Sequence, residues 1–111
     1  MSQYIQDMIQ TRRTLHRRPE EGWTEFETMW HVCSHLDQWG IPYLTGTKVI
    51  NTEFVMGRDE TLVKDAIDRA LKHGVPQTFI DKTEGYTGAV AIIDTGRPGP
   101  TTAFRCDMDA L

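Results

Sequence analysis

The sequence predicts an α/β fold, with helices first and a pair of extended segments last. Three observations carry this. Residues 26–39 and 59–73 repeat apolar side chains at helical spacing. Residues 88–94 and 101–107 are short runs rich in Val, Ile, Thr and Phe, separated by a cluster of Gly and Pro. Both runs are mostly apolar on both sides, as in a sheet covered by helices.

The first helix is expected from Tyr4, Ile5, Met8, Ile9 and Leu15, which share one arc at about 100° per residue. Arg12 and His16 fall within or beside that arc and are expected to be partly buried, His16 fixing the helix end. Pro19 and Gly22 break the helix. The second helix opens on Thr24-Glu25-Phe26-Glu27, a capping-box pattern. Phe26, Met29, Trp30, Val32, Cys33, Leu36 and Trp39 form its apolar side. Glu27, Thr28, His31, Ser34, His35 and Gln38 form the other, and Gly40 ends it. Ile41-Pro42-Tyr43-Leu44 starts a short extended piece, and residues 45–58 read as loop or irregular strand. A third helix runs from an Asp59 cap to Lys72 or His73, with Gly74 and Pro76 beyond. It turns Leu62, Val63, Ala66, Ile67, Ala70 and Leu71 inward and Lys64, Asp65, Asp68, Arg69 and Lys72 to solvent. Segments 88–94 and 101–107 are expected to pair as an antiparallel β-hairpin across a rigid turn at residues 95–100.

Composition bounds function. The 111 residues suffice for one small domain. At 39% hydrophobic and 25% charged residues the chain is globular rather than disordered. No apolar run approaches the ~18 residues of a membrane span. Lys and Arg number 12 against 16 Asp and Glu, a net charge of −4 without a basic stripe, which argues against nucleic acid. The N-terminus has no signal-peptide pattern, and two cysteines without framework spacing fit a reducing cytoplasm.

Few residues carry chemistry. His31 and His35 stand one helical turn apart, like the zinc pair of helix-borne sites. No Glu follows His31 and Cys33 points the other way, so the pair reads as two solvated histidines. Cys33 and Cys106 read as small buried hydrophobes rather than a disulfide. Gly96-Arg97-Pro98-Gly99-Pro100 lacks the Lys-Ser/Thr of a phosphate loop. Asp107-Met108-Asp109 places two carboxylates on one side of a strand end. Like charges that close call for a compensating cation or donor, such as a divalent metal or a histidine held by Asp109. A strand end entering a solvated loop reads equally well from spacing alone.

The two ends of the chain resemble a known family. Arg13-Thr14-Leu15-His16-Arg17-Arg18-Pro19-Glu20-Glu21-Gly22-Trp23-Thr24-Glu25-Phe26-Glu27-Thr28 resembles the opening of the amidohydrolase branch of the zinc aminopeptidase-like metallopeptidases. Ala103-Phe104-Arg105-Cys106-Asp107-Met108-Asp109-Ala110-Leu111 resembles the Arg-x-Asp-Met-Asp-Ala-Leu strand of that branch, which includes N-acyl-amino-acid and hippurate hydrolases. Lys48-Val49-Ile50-Asn51 and Glu84-Gly85-Tyr86-Thr87-Gly88, ahead of residues 94–100, narrow the resemblance to one member.

The resemblance implies a helix-flanked mixed-sheet catalytic domain, of which residues 1–111 would be the N-terminal part. It implies hydrolysis of the amide between an acyl or aminobenzoyl group and an amino acid such as glutamate. The full-length parent would use divalent zinc or manganese and form a homo- or hetero-oligomer. Asp109 matches the acidic residue that orients a metal-bound histidine, and Asp107 stands near the metal site. The parent's ligands lie in downstream segments such as His-x-Cys-Gly-His-Asp, so no metal ligand is assigned in this chain, no bound metal is expected, and it should be inactive alone. The competing expectation is a non-enzymatic interaction module or partner subunit.

Overall fold

A computed structural model describes residues 2–110. Among them the chain forms four α-helices and a two-stranded antiparallel sheet, an α/β arrangement. Helix α1 spans Gln3–Arg17, and the Ser2 hydroxyl accepts from the Ile5 amide at 3.4 Å. The first helix is where it was expected, but its packing is not. It buries no side chain: Tyr4, Ile5 and Met8 are exposed, as are Arg12 and His16. Periodicity establishes an apolar stripe; it does not supply a surface to cover it.

Helix α2 spans Phe26–Gln38 and lies at the centre of the core, with Phe26, Met29 and Cys33 fully buried. Its start overturns the capping box. The Thr24 hydroxyl donates backward to the Glu21 carbonyl at 2.7 Å instead of accepting from the helix. The cap is Glu20, whose carboxylate accepts from the Glu27 amide at 3.2 Å and the Thr28 amide at 2.7 Å. A carboxylate there also meets the positive end of the helix dipole.

Helix α3, Glu60–Lys72, follows its sequence signals closely. Asp59 accepts from the Thr61 and Leu62 amides, and Val63, Ala66 and Ala70 are buried against α2. Leu62 of the expected apolar arc is exposed. Helix α4, Gln77–Thr83, has no expected counterpart; seven residues are too few for a periodic signal. Phe79 and Ile80 from α4 and Val75 before it complete the core.

The expected hairpin is absent. Strand β2, Ala89–Ala91, pairs with β1, Tyr43–Thr45, with Leu44 opposite Val90. The partner is thus the extended piece after α2, not residues 101–107, which are irregular and exposed. Pro98 and Pro100 each remove a backbone donor, and the connection exceeds the two to five residues typical of a tight hairpin. Tyr43 instead packs on the core and its hydroxyl donates to Asp37 at 3.1 Å, which brings β1 to the right place for β2. Residues 45–58 are loop with short 3₁₀ turns at Gly46–Lys48 and Thr52–Phe54.

Candidate functional site

The two motifs at the chain ends meet in space. The backbone amide of Ala110 donates to the Glu20 carbonyl at 2.8 Å, while the Glu20 side chain caps α2. Met108 packs against the core, which anchors the Asp-Met-Asp segment from its middle residue. Glu20 is 3% exposed, and its charge is met by two amides and the Thr28 hydroxyl at 2.6 Å. Beside it, buried Glu25 accepts from the buried Thr87 hydroxyl at 2.9 Å, tying α2 to the segment before β2.

Glu27 gathers cations from two elements. Its carboxylate is 2.8 Å from His73 Nδ1, 3.2 Å from Arg18 and 3.8 Å from Arg69. It therefore joins the end of α1 to α3.

Asp107 and Asp109 reach this corner differently. Both are exposed. Asp107 is 3.0 Å from the Arg105 guanidinium, so a neighbouring cation answers its charge. Neither sits on a strand, contrary to the expected strand end. Leu111, the last residue of that motif, lies outside the described residues. Among the described residues no three His, Cys, Asp or Glu side chains come together as a metal cluster.

The other sequence candidates are dispersed. His31 and His35 face each other with ring centroids 4.6 Å apart. His35 Nδ1–H donates to the His31 carbonyl at 2.8 Å, and His31 Nε2 is buried without a hydrogen-bond partner among the described residues. The expectation of two solvated histidines is thus corrected: burial first, then the charge of His35, lowers the His31 pKa. Cys33 is buried as expected, and burial, with Asp37 second, raises its pKa to about 11. Cys106 is exposed, which corrects its expected burial; both thiols are free. Residues 95–100 form local turns, with Asp94 accepting from the Gly96 amide at 2.8 Å, but join no paired strands. A groove of about 560 Å³ runs between β1 and α4 past Tyr43, Lys48, Lys82 and Glu84, and no residue of the Glu20–Ala110 corner lines it.

The structure adds a cluster that sequence patterning missed. Trp23 has a left-handed backbone, φ 68°, rare for a bulky side chain. Its indole N–H donates to the Met56 carbonyl at 2.7 Å, and its ring meets Tyr86 edge-on with centroids 6.3 Å apart. Arg58 covers Tyr86 at 4.3 Å and donates to the Gly85 carbonyl at 2.6 Å. These partners lie 27 to 33 positions apart in the chain, beyond the reach of local patterning.

No family model matches the chain. It is 44% identical over 111 residues to the indole-3-acetyl-aspartic acid hydrolase of Enterobacter agglomerans, covering 98% of this chain and 26% of that protein. It is 44% identical over 102 residues to a p-aminobenzoyl-glutamate hydrolase subunit of Escherichia coli strain K12, covering 90% of this chain and 23% of that protein. The crystal structure of an aminobenzoyl-glutamate utilization protein from Klebsiella pneumoniae superposes with a TM-score of 0.90 at 43% identity, covering 98% of this chain and 28% of that one. The chain therefore spans about a quarter of the length of these relatives. They are its homologues, and the matched part is N-terminal in the larger fold. The resemblance at the chain ends holds, and so does its narrower form, carried by residues 48–51 and 84–88.

Proposed function

We propose that this chain forms the N-terminal part of the catalytic domain of an amidohydrolase. The enzyme would cleave the amide between an aromatic acyl group and an acidic amino acid. The observation that carries this reading is the match along nearly the whole chain to hydrolases named for aminobenzoyl-glutamate and indole-3-acetyl-aspartate. The Ala110–Glu20 hydrogen bond supports it, because it brings the two resembling motifs to one corner.

In this reading Asp109 is the catalytic carboxylate of the chain. Its exposed oxygens accept a hydrogen bond from an imidazole supplied outside these residues, fixing that ring's tautomer. Asp107 stands at the edge of the site with its charge answered by Arg105. The zinc or manganese implied by the resemblance finds no ligand set among the described residues, so no step is assigned to a metal here. Assembly into an oligomer belongs to the same proposal and is supported by the Escherichia coli relative, which is named as one subunit of its hydrolase. A cytoplasmic location does too, on the two free thiols; among the described residues no helix is long and apolar enough to cross a membrane.

The test is a chimera in which this chain replaces the corresponding quarter of the Escherichia coli hydrolase polypeptide. It should release p-aminobenzoate and glutamate from p-aminobenzoyl-glutamate. A chimera that folds and assembles like its parent yet releases neither would refute the reading.

A further inference from the structure

The loop from residue 49 to residue 58 is pinned at both ends and in its middle. At its start, Glu84 accepts from the amide and the hydroxyl of Thr47, the latter at 2.8 Å. At its end, Arg58 donates to the Gly85 carbonyl at 2.6 Å. Between them the Trp23 indole holds the Met56 carbonyl at 2.7 Å. A loop so fixed does not need exposed apolar side chains to hold its shape. Yet Phe54 is 76% exposed and Met56 81%. The residue that holds the loop is itself in a left-handed conformation at φ 68°. Backbone strain of that kind concentrates at functional sites.

The loop also stands close to the acidic end of the chain. Trp23 lies three residues after Glu20, a span of at most about 11 Å, and Glu20 holds the amide of Ala110, next to Asp109. An aromatic ring and a thioether presented together suit a planar aromatic ligand, through offset ring contact and sulfur–ring contact.

We propose that Phe54 and Met56 receive the aromatic acyl group of the substrate, and that Trp23 is the positioning residue that holds their loop beside the Asp109 end. This rests on the reading above that the substrate carries an aromatic acyl group. It adds which residues recognise that group.

The experiment is a titration of this chain followed by nuclear magnetic resonance. The ligands are N-(4-aminobenzoyl)-glutamate and, as an aliphatic control, N-acetyl-glutamate. The aromatic ligand should shift the Met56 methyl, the Phe54 ring and the Trp23 indole N–H signals; the control should leave them in place. The Phe54→Ala/Met56→Ala double variant changes only exposed side chains and should raise the Kd for the aromatic ligand about tenfold. Trp23→Phe, which removes the N–H donor, should lower the preference for the aromatic ligand over the control while the far-ultraviolet spectrum is kept. Shifts that map elsewhere, or a double variant that binds unchanged, would overturn the assignment. So would an aromatic ligand that shifts no signal at all. Release of p-aminobenzoate by the chimera above separates any of these results from failure of the hydrolase reading.

Discussion

Glu20 and Ala110, ninety positions apart, are joined by a 2.8 Å hydrogen bond between the Ala110 amide and the Glu20 carbonyl. Because the Glu20 side chain also caps α2, one residue couples the start of the central helix to the Asp-Met-Asp segment.

Glu20→Ala should lower the unfolding free energy by about 2 kcal/mol, since it leaves the Thr28 amide and hydroxyl without their buried acceptor. Urea denaturation of the variant beside the parent measures this. A loss within about 0.5 kcal/mol, the range of ordinary surface changes, would show that the cap contributes nothing.

Stability should fall as pH rises above 9. Burial first raises the Cys33 pKa from 9.0 to about 11, and burial followed by the Asp37 hydrogen bond raises that of Tyr43 from 10.0 to about 12. The folded chain holds these protons longer than the unfolded chain does, so their contribution is complete below pH 9 and is lost as pH climbs through the folded values. At neutral pH, thiol labelling should modify exposed Cys106 quickly and buried Cys33 only after denaturation. Equal labelling rates would contradict the placement of Cys33.

On the acid side, His31 has a folded pKa below its ordinary 6.5. The unfolded chain therefore takes up the proton first, so the His31 contribution is present above pH 6.5 and weakens as pH falls through the folded value. His31→Gln should flatten this slope while changing stability at pH 8 by no more than about 1 kcal/mol. An unchanged slope between pH 7 and pH 5 in the variant would assign it to another group.

The chain alone should show no hydrolysis of p-aminobenzoyl-glutamate, because a catalytic divalent site typically draws on about three protein ligands and no such cluster exists among the described residues. In the chimera, Asp109→Asn should cut turnover roughly 10- to 100-fold, as loss of a carboxylate that orients a ligand histidine does. The His31→Gln/His35→Gln pair should leave turnover and metal content near the parent's. Loss of metal from the histidine pair with full activity in Asp109→Asn would reverse the assignment of the site.

Features settled within a few turns of chain were legible in the residues alone. The Asp59 cap and the inward row Val63, Ala66, Ala70 define α3, and Phe26, Met29 and Cys33 define the buried face of α2. Each depends on neighbours three or four positions away, so composition and spacing suffice. The motifs at the two ends likewise carried the kinship that the relatives bear out. Other features waited on long-range packing. Thr24 had the right spacing to cap α2, but Glu20 arrives from the preceding loop with a charged acceptor and displaces it. Residues 101–107 had the composition of a strand, but β1 was already anchored through Tyr43 and took β2 as its partner. His31 lay on the polar side of its helix and is buried nonetheless, at Nε2. A periodic pattern reports which face of an element is apolar; it carries no information about which other surface the folded chain will bring against that face.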